Sequence, residues 1–452
     1  MVFFIMPFLV RDARRYYLAI ASFINIFSSG WIFYHYTGLM LADLPMICLL
    51  FMALFTGKRF DWKASPIGLP VFGLIAWGIL TSFGAKNQGW ALAEVSKYIR
   101  LYLLMVIVAL NIRSLSDLRL IIVSMLCGLV FEAALGFYQN YYGALGIWFL
   151  GERAGSRVDW RAMGTFYVAA FYANYVSLVL FVAYRMFVYY RPPKPRQIVF
   201  FGAAFFLGMI ALFKSYARGP WIGFLASWAI TSLISFLRSK YKVYSKYAVP
   251  VLVVFAILFT IKYRSKIAEQ FGEGRRSAYE SRFVQFGIAE RMIAAKPLTG
   301  FGLANYDLNS WDFMTPEERS HMLARAYAMF VHNSFLLYTA EMGLIGGAIF
   351  ILWFVVILWA CVRILRAKIS HPLITNATMG IAGGIIAFMV LCLSSPDIHE
   401  YSALYQLGLF GGILLGEWKL IKKAEWQNIC SLRNGKIHPS ETPSAKTIKG
   451  TR

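Results

Sequence analysis

The stretch from His332 to Gly343 joins a long polar loop to a long apolar run. A histidine at such a junction has water on one side and lipid on the other, and its imidazole titrates near neutral pH. His332 could therefore act as a base on a membrane-anchored molecule. A lone histidine at a membrane edge is more often structural, so its position alone does not establish catalysis.

Glu341 lies nine residues after His332 in the same apolar run. On a straight helix it would sit about half a turn away from the face of His332 and about 13 Å deeper. An ionisable group at that depth usually faces a partner. We therefore expect Glu341 to make an ion pair or hydrogen bond that holds the bundle, and not to touch His332.

A second candidate is the segment from Ser215 to Gly223, where one apolar run gives way to the next and Lys214 and Arg218 lie at the junction. Pro220 is acceptable in a first helical turn. A helix N-terminus flanked by arginine is suited to bind an anion. The segment predicts a phosphate-binding site at the membrane edge, and the alternative is an arginine that extends to lipid headgroups.

A third candidate is Arg282, which follows Arg275 and Arg276 and precedes Arg291. The planar guanidinium can hold two phosphate oxygens at once. Arg282 could thus be a second phosphate ligand, although a solvated basic loop near anionic lipid would have the same composition.

Asp397, His399 and Glu400 form a fourth polar group in the loop before the last apolar run. These residue types can ligate a metal, but their spacing is not a strong ligand signature. Their role stays open. The sequence contains no Gly-x-Ser-x-Gly elbow and no glycine-rich phosphate loop, so serine hydrolysis and nucleotide-driven chemistry are not indicated.

The elements that must position these residues are membrane helices. Of the 452 residues, 59% are hydrophobic and only 15% are charged, against about 25% charged in typical soluble domains. The apolar runs approach the roughly 20 residues that a helical span needs, and they do not alternate as barrel strands would. The fold class is therefore an all-α polytopic membrane protein.

The net charge of +23 does not indicate nucleic-acid binding. The basic residues lie in loops between apolar runs, as membrane topology and anionic lipid require. The five cysteines show no disulfide pattern.

We predict about twelve spanning segments. They are residues 16–35, 39–56, 67–84, 98–112, 117–140, 165–189, 197–213, 219–237, 246–263, 332–362, 375–394 and 401–420.

Basic residues concentrate in alternate loops, which predicts that both termini lie in the cytoplasm. Residues 1–423 then form the bundle, with a large periplasmic loop over 264–331. That loop is too long for a tight connector, and we expect short helices in it, one over 281–296 that ends at Pro297 and one that starts at Thr315. Residues 424–452 are polar and basic, and we expect a disordered cytoplasmic tail.

Taken together, these residues resemble the O-antigen ligase and polymerase superfamily of bacterial envelope glycan enzymes. The resemblance covers about residues 160–400, whereas the first 150 residues match only in hydropathy. Four segments carry it, namely Arg161 to Phe166, Ser215 to Gly223, Arg282 with Lys296 to Tyr306, and His332-Asn333 with Glu341 to Gly346. One departure is Ala217, where many members have Ser or Thr.

The resemblance implies a GT-C-like bundle of twelve helices in the bacterial inner membrane, with the active site facing the periplasm. Such enzymes transfer a glycan from undecaprenyl diphosphate to an acceptor hydroxyl, which is lipid A-core for a ligase. Arg218 and Arg282 would bind the diphosphate, and we expect their basic neighbours Lys214 and Arg291 to assist. His332 would be the general base of an inverting transfer.

With two arginines on the diphosphate, the reaction requires neither a metal nor another cofactor. The partners expected are the lipid-linked donor, the glycan acceptor and membrane lipids. A polymerase of the same superfamily and a transporter of lipid-linked sugars are the alternatives.

Overall fold

The protein is described by a computed structural model. It describes residues 12–23, 43–55, 66–143, 161–166, 168–190, 192, 194–237, 257, 261, 264, 276–321, 329–368, 371–396 and 399–433.

Every regular element within these ranges is helical. In chain order the helices are α1 (Ala13–Phe23), α2 (Asp43–Phe55), α3 (Gly68–Ser82), α4 (Gln88–Asn111), α5 (Leu115–Tyr142), α6 (Ala169–Val188), α7 (Pro195–Lys214), α8 (Arg218–Leu237), α9 (Arg276–Ala295), α10 (Tyr306–Ser310), α11 (Pro316–Ser320), α12 (Ser334–Arg366), α13 (Pro372–Cys392) and α14 (Tyr401–Arg433). A 3-10 turn, Trp311–Phe313, joins α10 to α11.

Most predicted segments coincide with a helix to within a few residues. The main differences are α4, which begins about ten residues earlier than predicted, and α14, which continues past residue 423, where we placed the start of the tail. Of the predicted segment 16–35, residues 24–35 lie outside the described ranges. Five helices in the described ranges, α5, α6, α7, α12 and α13, are long and apolar enough to cross a membrane. The predicted segment 246–263 lies mostly outside those ranges, and the count of twelve spans stays an expectation.

The core of the bundle is built around α6, whose residues are nearly all buried. Helix α13 approaches α6 at Gly380 and Gly384, where an added Cβ would overlap the α6 backbone. On the other side, α14 approaches α4 in the same way at Gly408 and Gly412. Small residues at these crossings let the helix backbones come close, which is the main packing device of membrane helices.

The long loop has a small core of its own. Ile288, Ala289 and Met292 of α9 pack against Leu337 and Ala340 of α12. The predicted helix over 281–296 is confirmed as part of α9, which ends at Ala295, just before Pro297. The start of α11 is also confirmed, because Thr315 and Glu318 form a reciprocal capping box.

Helix α12 is not straight, although its hydropathy reads as one continuous run. In a straight helix Tyr338 and Phe350 would lie ~18 Å apart along the axis, but their rings are stacked with centroids 4.4 Å apart. Phe335 and Phe354 are likewise only 6.4 Å apart. The chain reverses at Gly343 (φ 70°, ψ −178°), so that arm 334–342 folds back along arm 344–366.

Gly343 is required at this reversal because its backbone is left-handed and because an added Cβ would overlap the Leu298 carbonyl. Backbone groups of the loop 297–302 pair with the interrupted helix. Gly302 N–H donates to the Glu341 carbonyl (2.7 Å), and Leu344 N–H donates to the Pro297 carbonyl (2.7 Å). The groups released by the break thus regain hydrogen-bond partners.

This reversal corrects the depth that we expected for Glu341. The expectation assumed one straight helix from His332 inwards. Because arm 344–366 leads away from Gly343, Glu341 lies at the turn and His332 lies at the far end of the other arm. In the predicted topology Glu341 is farther out than His332, not deeper.

Candidate functional site

His332 is held at the start of α12 by local capping and by one long-range contact. Asn333 is the N-cap, and its Oδ1 accepts from the backbone N–H groups of Phe335 and Leu336. The ring of His332 reaches Gln285 of α9, whose Oε1 lies 2.8 Å from Nδ1. The same oxygen accepts from the backbone N–H of His332 at 3.3 Å.

The environment of His332 favours the neutral imidazole. Burial, and secondly the positive charge of Arg282, lower the pKa of His332 to about 4. His332 is therefore a proton acceptor at neutral pH, as a general base must be.

Arg282 lies on α9 three residues before Gln285, so that the two side chains share a face of the helix. The apolar face of α9 is docked on the first arm of α12 by the small core described above. This docking brings Arg282 close enough to lower the pKa of His332. The side chains of Arg275 and Arg276 lie outside the described part of the chain.

Arg218 is the first residue of α8, after a tight turn from α7. Within the turn Ser215 Oγ accepts from the backbone N–H of Ala217 (3.3 Å), and Tyr216 adopts a left-handed backbone (φ 51°). Trp221 joins the first turn of α8 to α7, because its indole N–H donates to the Leu212 carbonyl (2.8 Å). Arg218 thus projects from a fixed helix N-terminus.

Loop 161–166 lies directly against this turn. Arg161 donates to the Tyr216 carbonyl (2.7 Å), and Ala162 N–H donates to the Lys214 carbonyl (3.0 Å). The first two residues of the loop thus pair with the Arg218 turn, which gives the Arg161 segment a structural reason to accompany Arg218.

Two residues of α5 hold that loop, and our sequence analysis missed both. Gln139 binds both backbone groups of Gly164, accepting from its N–H (2.8 Å) and donating to its carbonyl (2.7 Å). Glu132 accepts from the hydroxyl of Thr165 (2.7 Å). A carboxylate and an amide in an otherwise apolar predicted span were the available signal.

The termini that carry Arg218 and His332 meet the same end of α13. At Gly219 an added Cβ would lie 2.9 Å from the Leu391 side chain and 3.2 Å from Ser394 Oγ. Ser334 Oγ donates to the Ser395 carbonyl (2.7 Å). Gly219, next to Arg218, and Ser334, two residues after His332, therefore meet one short stretch, residues 391–395, although they are far apart in sequence.

Two basic residues that we expected at the diphosphate have protein partners. Arg291 donates to Glu318 (2.6 Å) and to the Phe313 carbonyl (2.6 Å), which ties α9 to the capping box of α11. The guanidinium of Arg291 thus holds the loop together, and its expected role at the diphosphate stays a prediction. Lys214 donates to Asn140 Oδ1 (3.0 Å) and remains beside the Arg218 turn.

Glu341 does hold the bundle through polar contacts. One carboxylate oxygen lies 3.3 Å from Nε2 of His399, and the other accepts from the backbone N–H of Tyr306 (3.2 Å). The other ring nitrogen of His399 lies 2.8 Å from Glu94, which also pairs with Lys97 (2.7 Å). We call His399, Glu94, Glu341 and Lys97 the His399 cluster.

These contacts involve His399, which the sequence analysis considered as a metal ligand together with Asp397 and Glu400. Both ring nitrogens of His399 face carboxylates of the cluster. No group of metal-binding side chains with suitable geometry occurs among the described residues. Asp397 lies outside them, and Glu400 lies at the start of α14.

Residues 203–351 match the model of the family described as O-antigen ligase. The match contains Arg218, Arg282, His332 and Glu341, and it confirms the resemblance to the O-antigen ligase and polymerase superfamily. No curated protein compared with the chain matches it.

Proposed function

We propose that this membrane enzyme of the O-antigen ligase and polymerase superfamily transfers a glycan from undecaprenyl diphosphate to an acceptor hydroxyl. The favoured reaction is the ligase reaction, in which lipid A-core is the acceptor. The observation that carries the proposal is that the neighbours of Arg218 and His332, namely Gly219 and Ser334, meet residues 391–395, while the charge of Arg282 acts on His332.

In the proposed reaction, His332 takes the proton of the acceptor hydroxyl. The acceptor oxygen forms a bond to C1 of the donor sugar, and the bond from C1 to the diphosphate oxygen breaks. The electron pair of that bond goes to the diphosphate, where Arg218 and Arg282 stabilise the growing negative charge. Attack opposite the leaving group inverts the anomeric centre, and the proton on His332 then passes to solvent.

Two arginines supply the positive charge that a diphosphate leaving group needs, so the proposal includes no metal. Lys214 stays in the proposal as a neighbour of Arg218 that adds positive charge at the same turn. Arg291 would assist from farther along α9, where it also pairs with Glu318.

The proposed site is at the periplasmic face of the inner membrane. Its support is that the N-terminal turn of α8, which carries Arg218, and Ser334, two residues after His332, both meet the C-terminal end of α13. In the predicted topology this end faces the periplasm, where lipid-linked glycans are exposed to acceptors.

The interrupted α12 does not favour the alternative of a transporter. Transporters bind substrate at breaks near the bilayer midplane. Here arm 344–366 alone is ~34 Å long and can cross the ~30 Å hydrocarbon core without arm 334–342. The break at Gly343 therefore lies at one end of a complete span.

The test is an assay of purified protein with undecaprenyl-diphosphate glycan and with lipid A-core. We expect release of undecaprenyl diphosphate together with glycan on lipid A-core. A lengthened donor glycan would instead support a polymerase, and no transfer to either acceptor would contradict the proposal. Loss of activity in EDTA with recovery in Mg²⁺ would refute the metal-free mechanism and make Asp397 and Glu400 the first suspects.

His332→Ala and Arg282→Ala should each lower transfer at least about 10²-fold, because a general base and a charge-stabilising donor each contribute about that much. Arg319→Ala is a matched control, since Arg319 is an arginine of the same loop and its exposed guanidinium donates to the Asp312 carbonyl (3.2 Å). All three variants should be recovered folded in the membrane. Full activity of either His332→Ala or Arg282→Ala would overturn the mechanism.

A further inference from the structure

Gln285 is the one side chain seen to bind the ring of His332 by a hydrogen bond among the described residues. It is buried, with 2% of its surface exposed. Its backbone carbonyl accepts from the hydroxyl of Tyr306 (3.4 Å), and Tyr306 is itself bound through its N–H to Glu341. Gln285 is thus held at its backbone by Tyr306 and at its side chain by His332.

The orientation of the Gln285 amide follows from its two contacts with His332. A backbone N–H can only donate, and that of His332 points to the Gln285 atom assigned as Oε1. A rotated amide would set its NH₂ group against this N–H, donor against donor. The atom at this position is therefore the oxygen.

The same oxygen determines the tautomer of His332. An amide oxygen can only accept, so Nδ1 at 2.8 Å must carry a proton and donate it. A neutral imidazole carries one proton. Nε2 then has the lone pair and is the only ring atom that can accept a proton.

We infer that Gln285 is a positioning residue for the transfer reaction, which holds His332 as the Nδ1–H tautomer with Nε2 directed to the acceptor hydroxyl. This inference rests on the proposed function. When Nε2 takes the proton, Nδ1–H keeps its bond to Oε1, so Gln285 also stabilises the imidazolium that forms. Arg282 and Gln285, three residues apart on α9, would then serve the leaving group and the base from one helix.

Two variants separate positioning from mere packing. Gln285→Leu is close in size but has no acceptor, so it should lower kcat about 10-fold to 100-fold and leave the KM for the donor nearly unchanged. Gln285→Glu keeps an acceptor for Nδ1–H and adds a negative charge beside the ring. It should retain most of kcat and move the acid limb of the pH profile upwards, because the charge favours imidazolium.

The control is Glu290→Leu, which removes an exposed polar side chain from the same helix and should leave both kcat and the pH profile unchanged. Folding is checked for each variant by its elution and thermal unfolding in detergent. Wild-type activity of Gln285→Leu, or an acid limb of Gln285→Glu that matches the wild type, would overturn the inference alone. Absence of transfer by the wild-type protein would instead refute the proposed function.

Discussion

His332 and Arg282 are an unusual combination for acid–base chemistry, because the charge of Arg282 disfavours the protonated imidazole. Burial and the Arg282 charge both disfavour imidazolium, which is why the pKa of His332 falls from its ordinary 6.5 to about 4. A bound diphosphate would offset the charge of Arg282 and raise that pKa towards the range in which a base is most effective. Donor binding would in this way prepare the base for the acceptor.

The acid limb of the pH profile of kcat/KM reports the pKa of the base in the free enzyme. We expect this limb near pH 4, because His332 stays neutral and able to accept a proton down to that pH. A base with an ordinary histidine pKa would lose half its activity near pH 6.5. The measurement is kcat/KM from pH 4 to 8, with each sample returned to pH 7 as a check for irreversible unfolding. A half-point near 6.5 would contradict the environment described for His332.

At the scale of elements, the loop 297–302 and the reversal of α12 depend on each other. The loop pairs with Ala340, Glu341 and Leu344, and the indole of Trp77 donates to the Met342 carbonyl (2.8 Å). Without these partners the interrupted helix would leave buried backbone groups unsatisfied. The reversal also sets where arm 334–342 begins, and so where His332 meets α9.

Gly343→Ala should therefore destabilise the protein and lower transfer. The left-handed backbone alone costs about 1–2 kcal/mol for a residue with a Cβ, and the overlap with the Leu298 carbonyl adds to this cost. The measurement is thermal unfolding in detergent, together with transfer activity. Gly287→Ala is the matched control, because a Cβ there meets only the Arg291 side chain at an ordinary 3.5 Å. Equal stability of the two variants would argue against the reversal.

At the scale of the whole molecule, the His399 cluster joins three parts of one end of the bundle. Glu94 and Lys97 come from α4, Glu341 comes from the turn of α12, and His399 comes from the connection between α13 and α14. Burial by itself would lower the pKa of His399, but Glu341 and Glu94 outweigh burial and raise that pKa to about 10. The imidazolium is thus an internal counter-ion.

The sign of the pH dependence follows from this shift. A histidine whose pKa is raised on folding contributes its full stabilisation below the unfolded pKa of about 6.5 and loses it as the pH rises through about 10. We expect the Tm in detergent to fall between pH 7 and 10. His399→Gln should have a lower Tm at pH 7 and a smaller fall over that range, and equal slopes for the two proteins would contradict the role of the cluster.

Much of the local structure could be predicted from sequence, because it depends on neighbours along the chain. Apolar runs delimit the helices, Pro297 and the glycines after it end α9, and Thr315 with Glu318 starts α11. The candidate site residues Arg218, Arg282 and His332 were also visible as ionisable side chains within the polar loops or at their ends. Glu341 was correctly expected to hold the bundle through a polar contact.

What only the tertiary structure decided are the contacts between distant segments. Hydropathy cannot register the reversal at Gly343, because both arms of α12 are apolar and the break is stabilised by a loop about 45 residues earlier in the chain. Gln285 meets His332, and Arg291 meets Glu318, only because α9 docks on α12 in one register. Residue types and spacing indicate which side chains can do chemistry, whereas docking decides which of them share a site.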